Sequence, residues 1–208
     1  MTTTDLTATI TAERHTFGDV LEGLSEDDWN APSLCAGWRV REVVAHMTMP
    51  FRFSTGRFLG EMVRSRGSFA RMADRVARRD ARAPVATLLE GWRTNEDNPW
   101  KPPGGGYPGA LTHDVVHGLD ITVPLGIEHT VSESALRVVL DQAAGPRSLQ
   151  HFSPDLAGVR LEADDLDWAF GDGEPLRGAA RHLLLVLVGR RLPAGLLTGA
   201  QNARFTAD

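Results

Sequence analysis

The residues in this sequence best suited to chemistry are two histidines four positions apart, His113 and His117, in the run Thr112-His-Asp-Val-Val-His-Gly-Leu-Asp120. At about 100° per residue, a helix stacks the two imidazoles on one stripe and carries Asp120 to the same side. One metal ion can take both rings. Two histidines make half a tetrahedral site, so a third ligand must come from elsewhere and one position must stay open for chemistry. His46, in the run Trp38-Arg-Val-Arg-Glu-Val-Val-Ala-His46, is the candidate. Histidine pairs also occur as ordinary core or surface residues, and the pair alone does not decide between these readings.

Composition narrows what such a site can be. The chain has 208 residues, 42% of them hydrophobic, enough for a substantial core in one large domain or two small ones. Cys35 is the only cysteine, which excludes an intrachain disulfide and a cysteine-built zinc site. Any metal must therefore rest on His, Asp or Glu. The formal net charge of -5 argues against a general nucleic-acid binder. Arg64, Arg66, Arg71, Arg75, Arg78, Arg79 and Arg82 nevertheless crowd one segment, read here as a solvated face. No apolar run reaches the roughly 18 to 20 residues of a membrane span, and the start, Met1-Thr-Thr-Thr-Asp5, lacks the features of a signal peptide. A cytoplasmic protein is the expectation.

The elements that must position the histidines follow from periodicity. Leu6, Ile10, Phe17, Val20, Leu21 and Leu24 predict a first helix capped by Thr4 or Asp5, and Ser25 is a second cap. Trp29 and Trp38 bracket an irregular stretch as anchors. A helix from Trp38 should carry Val40, Val43, Val44, Met47 and Phe51 on one face, with His46 beside it and Pro50 as an interruption. Helical continuation is expected through Phe53, Phe58, Leu59, Met62 and Val63. Phe69, Met72 and Val76 are the expected buried residues of the arginine-rich segment. Pro84 opens a helix through Leu88 and Trp92.

The stretch Pro99 to Gly109 is a proline- and glycine-rich connector into the His113 helix. A further helix is expected from about Ser132 to Gln150. Alternation then predicts strands at Gly158–Ala163 and Asp167–Gly171, followed by a buried helix from Ala179 to Arg190.

Four or more helices and a small α+β unit coincide with the motifs Pro32-Ser-Leu-Cys-Ala-Gly-Trp-Arg-Val40, Val43-Val-Ala-His46, Asp114-Val-Val-His-Gly-Leu-Asp120 and Leu183-Leu-Leu-Val-Leu-Val-Gly-Arg190. Together they resemble the mycothiol-dependent maleylpyruvate isomerase family, a branch of the DinB-like metal-binding four-helix bundles. The resemblance implies a mainly α fold, with a DinB-like bundle over residues 1–150 and a small SCP2-like α+β domain over 151–208. It implies a divalent metal, usually zinc with nickel as an alternative, on His46, His113 and His117. Mycothiol is the implied thiol cosubstrate, and a small-molecule electrophile the implied substrate. The family is expected to carry glutamate at the first position of the pair, where this chain has His113. Asp114, about 60° around the helix from His117, is an alternative acidic ligand. Asp120 is a candidate acceptor that orients a ligating histidine. The resemblance also implies an arginine contacting a substrate carboxylate from the C-terminal unit, and Arg190 is the residue chosen for this catalytic role.

Two other readings stay open. His113-Asp-Val-Val-His117 mimics the HExxH motif of zinc peptidases with a shorter acid, which makes a metal-dependent hydrolase an alternative. A bundle of this kind can also bind metal as a stress-linked or regulatory protein without turning anything over. A monomer or a homodimer is expected, with no nucleic acid or membrane partner.

Overall fold

Helix α1 (Thr3–Glu22) starts at a reciprocal pair of hydrogen bonds: the Asp5 N–H donates to the Thr2 hydroxyl at 3.2 Å, and the Thr2 N–H donates to the Asp5 carboxylate at 2.8 Å. Two orphan amides are satisfied at once, which places the cap at Thr2 rather than at Thr4 or Asp5. Ser25 and Asp28 repeat the device at α2 (Glu26–Asn30). The computed structural model describes residues 2–199 and 201–207. Its contacts divide the chain into two compact units, Met1–Lys101 and Pro102–Asp208. The cut falls in the proline- and glycine-rich connector, and position 150 lies inside the second unit.

In the first unit, α3 (Val40–Met47) buries Val40, Val43, Val44 and Met47 completely, as their spacing requires. Pro50 has no N–H to continue the ladder, so the chain restarts as α4 (Met49–Arg52). Helices α5 (Thr55–Arg64) and α6 (Phe69–Asp80) then close over a small core of Met49, Met72 and Val76, joined by Phe53, Phe58 and Met62. Leu59, Val63 and Phe69 do not join it; they are 58%, 79% and 51% exposed. On α5 each of the pairs Phe58/Met62 and Leu59/Val63 forms its own stripe, about 100° apart, and only the first faces the core. Helix α7 (Val85–Arg93) follows Pro84 and packs on α1 and α3. Its Trp92, 1% exposed, meets Phe17 edge-on at 5.3 Å and donates its indole N–H to the Arg14 carbonyl at 3.0 Å.

The second unit opens with α8 (Gly106–Leu125), which begins inside the connector because Pro108 is tolerated in a first turn. The single helix expected over 132–150 is two, α9 (Glu133–Ala143) and α10 (Pro146–Phe152). Gly145 and Pro146 break it, since proline cannot donate and clashes with the preceding turn. Strands β1 (Val159–Ala163), β2 (Ala169–Phe170) and β3 (Glu174–Gly178) form a sheet in the order β2-β1-β3. β1 runs antiparallel to β2, with Leu161 opposite Phe170, and parallel to β3, with Leu161 opposite Leu176. Helix α11 (Ala180–Leu187) packs on β1, α8 and α9, and Leu183 to Leu187 are all at most 1% exposed. Among the described residues no helix is long and apolar enough to cross a membrane.

Candidate metal centre

His113 and His117 stand one turn apart on α8 with ring centroids 4.9 Å apart and nearly perpendicular planes. Both side chains keep a little solvent access, 17% and 14%. The neighbouring positions Leu111, Val115 and Leu119 are buried and fix the helix's rotation, so the histidine stripe lies at the margin of the apolar face.

Each ring is held from behind by a carboxylate of the same helix. His113 Nδ1 lies 2.9 Å from Asp114 Oδ1, and His117 Nδ1 lies 3.0 Å from Asp120 Oδ2. Both acids are buried, Asp120 completely. A histidine whose Nδ1–H is given to a carboxylate presents Nε2 to a metal, the arrangement by which proteins fix tautomer and ring orientation at such centres. Burial pushes the His117 imidazolium pKa down, against the Asp120 hydrogen bond that favours the charged form, and the net shift is toward a neutral ring. Neutral imidazole is what a metal requires. The donor set therefore fits a divalent ion of the zinc type.

Asp120 is an acid held on several sides. Burial alone would raise its pKa, but hydrogen bonds from Arg190 and His117, and their charges, hold it well below the ordinary carboxylate range. Arg190 delivers Nε and Nη2 to the two carboxylate oxygens at 2.8 and 2.9 Å. The residue chosen from sequence for substrate contact thus has its guanidinium fork on Asp120. Arg190 also borders a cavity of about 400 Å³ with Arg191, Arg204, Phe152 and Phe205. Nothing in the sequence links positions 120 and 190; the pairing arises only when α11 packs on α8.

His46 lies in the first unit on α3, 7% exposed, with the Trp38 ring 5.2 Å away and tilted by 52°. The Trp38 indole donates to Asp74 at 2.9 Å, which anchors the ring beside His46. Cys35 is buried in the turn before α3, five residues short of its first residue, and its N–H donates to the Ser33 hydroxyl at 3.2 Å. Of the other histidines, His129 and His182 are buried, while His15 is half exposed and sits 2.6 Å from Glu96.

The chain is mainly helical with a three-stranded C-terminal sheet, a fold of the DinB-like class. Two solved structures share that fold across nearly the whole length. The crystal structure of the mycothiol-dependent maleylpyruvate isomerase matches with a TM-score of 0.54, and that of a histidine-to-alanine mutant of it with 0.53. In each case identity is 13%, over 97% of this chain and 94% of the other. The model of the mycothiol maleylpyruvate isomerase N-terminal domain matches residues 10–122, more than half of the 208. The chain belongs to the mycothiol maleylpyruvate isomerase family. No curated protein sequence matches it.

Proposed function

We propose that this protein is a zinc- and mycothiol-dependent isomerase or thiol S-transferase acting on an electrophilic small molecule. The observation that carries the reading is the His113–His117 pair on α8, with each Nδ1 engaged by a buried carboxylate. Family membership supports it further, because the matched span 10–122 contains His46, His113 and His117 together. We assign these three residues as the metal ligands, residues 1–150 as the metal-binding module and 151–208 as an accessory α+β module.

The chemistry a bound zinc ion supplies is stabilisation of a thiolate at neutral pH. The protein's own contribution is orientation. Asp114 and Asp120 keep two imidazoles in the tautomer that presents Nε2, and burial keeps His117 neutral. For an isomerase, the thiolate sulfur forms a bond to an alkene carbon of a cis-enoyl acid while the π electrons move onto the conjugated carbonyl. Rotation about the resulting single bond and reversal of the addition then release the trans acid and the thiolate. For a transferase the carbon–sulfur bond is retained and the enolate carbon takes up a proton from solvent, giving the thioether.

The test is elemental analysis of the purified protein beside His46→Ala and His113→Ala, followed by metal-dependent thiol consumption across a panel of unsaturated acids and other electrophiles. The expected result is about one zinc per chain, lost in both variants, with thiol consumption that follows the metal. No metal in the wild-type protein after reconstitution overturns the reading. Metal without thiol consumption identifies a non-catalytic binder, and chelator-sensitive peptide cleavage identifies a hydrolase.

A further inference from the structure

We infer that Arg190 is a positioning residue of the α8 centre: it grips Asp120 and thereby fixes His117, rather than gripping a substrate. The inference rests on the metal reading for its function and on hydrogen-bond geometry for its substance.

The geometry begins at the end of α11. Gly189 takes a positive φ of 75°, which lets its N–H bond the Val186 carbonyl at 3.0 Å while the Arg190 N–H bonds the Leu185 carbonyl at 2.9 Å. This paired closure of a helix C-terminus turns the chain sharply, and glycine is the residue that adopts the left-handed conformation without strain. Beyond the turn, the Arg190 side chain is 20% exposed and reaches a carboxylate that is fully buried. Nε and Nη2 bond separate oxygens of Asp120, at 2.8 and 2.9 Å, and Nη1 lies 3.4 Å from the Val188 carbonyl.

A two-point fork fixes the plane of the carboxylate, which a single hydrogen bond does not. Asp120 Oδ2 is the atom shared with His117 Nδ1, at 3.0 Å. Fixing the plane therefore fixes where the His117 proton points and which nitrogen faces outward. Asp120 is braced by a residue 70 positions away, so the set of His117 depends on the seating of α11. A substrate carboxylate could take the same edge of the guanidinium only by displacing Asp120 and leaving a buried charge without its partner.

The test uses Arg190→Ala, Arg190→Lys and Asp120→Asn in the full chain, with two readouts. Long-range ¹⁵N–¹H NMR of the metal-free protein reports the His117 tautomer, assigned by its absence in His117→Gln. Competition against a chromophoric chelator reports zinc affinity. In the wild type, His117 should carry its proton on Nδ1. In Arg190→Ala and Asp120→Asn the tautomers should mix, and zinc affinity should fall roughly 10- to 100-fold. Lysine restores the charge without the fork, so Arg190→Lys should fold as the wild type does by circular dichroism and still show mixed tautomers. This variant decides the matter if Arg190→Ala is unstable. An unchanged tautomer together with unchanged zinc affinity in Arg190→Lys overturns the inference and leaves the metal reading intact. A wild type that takes up no zinc, yet shows the tautomer response, overturns the metal reading and leaves the positioning role standing.

Discussion

Replacing Gly189 and Gly173 by alanine separates two costs that sequence alone would price the same. Both residues adopt positive φ, 75° and 132°. An alanine in the left-handed region costs about 1–2 kcal/mol, and about 0.4–1 kcal/mol of that is offset because alanine narrows the unfolded ensemble. At Gly189 nothing more is added. The new Cβ would meet its nearest neighbour, the Phe152 carbonyl oxygen, at 3.5 Å, an ordinary contact. A net loss of about 1 kcal/mol follows, or roughly 2–4 °C in Tm for a chain of this length. At Gly173 the Cβ would overlap both the carbon and the oxygen of the Gly158 carbonyl, backbone that β1 holds in place. Glu174 also bonds that same oxygen at 3.0 Å, so relief of the clash sacrifices a hydrogen bond. Overpacking of about 1–3 kcal/mol and a lost bond of about 1 kcal/mol bring the total to about 3 kcal/mol or more. Urea unfolding followed by circular dichroism, with the midpoints compared at equal slope, reads the difference. Equal losses at the two positions would refute the steric reasoning, because Gly173 carries the clash and also a φ further from the left-handed minimum than that of Gly189.

Two further predictions concern acids held by hydrogen bonds, one half-buried and one buried. Asp80 at the end of α6 accepts from Arg52 at 2.7 Å and Arg79 at 2.6 Å; burial opposes its ionisation, but these two cations outweigh burial and lower its pKa. A carboxyl whose folded pKa is depressed contributes stability that is complete above its unfolded value, about 3.9, and is lost as pH falls through the folded one. The stability difference between wild type and Asp80→Asn should therefore be constant at neutral pH and shrink below about pH 4; a difference that persists at pH 2 argues against the pairing. Asp114→Asn should lower zinc affinity roughly 10- to 100-fold in chelator competition if the acid acts from behind His113. A loss as deep as that of His113→Ala would instead make Asp114 a ligand itself.

Helix α3 was legible because its apolar spacing is regular, and α8 because of its histidine spacing; each also carries a motif, Val43-Val-Ala-His46 and Asp114-Val-Val-His-Gly-Leu-Asp120. The first strand of the small sheet was legible from alternation at Val159 and Leu161, both buried, whereas β3 with its buried Leu176 follows the turn at 171–173 and was not read as a strand. What the sequence hid has specific causes. Leu59, Val63 and Phe69 count as core by type, yet α5 and α6 offer one inward stripe each and these residues lie off it. Gly145-Pro146 was read through as helix although the pair carries its own stop signal. The fork of Arg190 on Asp120 has no local signature at all, since it depends on how α11 meets α8.

The charge of the proposed centre follows from the same contacts. Where the family resemblance expects glutamate, this chain has His113, and three neutral ligands would leave a divalent ion without any negative partner in its inner ring. Two carboxylates stand one hydrogen bond further out. Asp120 shares its charge with the Arg190 cation through two bonds, so it orients His117 more than it adds negative potential. Asp114, 2.9 Å from His113 Nδ1, places a carboxylate directly behind the imidazole that occupies the glutamate's position. The negative charge is displaced outward by the width of one ring rather than deleted. A ligand set of this kind keeps the basicity of one imidazole high while leaving net positive charge at the open position, and an anionic thiolate is the partner that such a position favours.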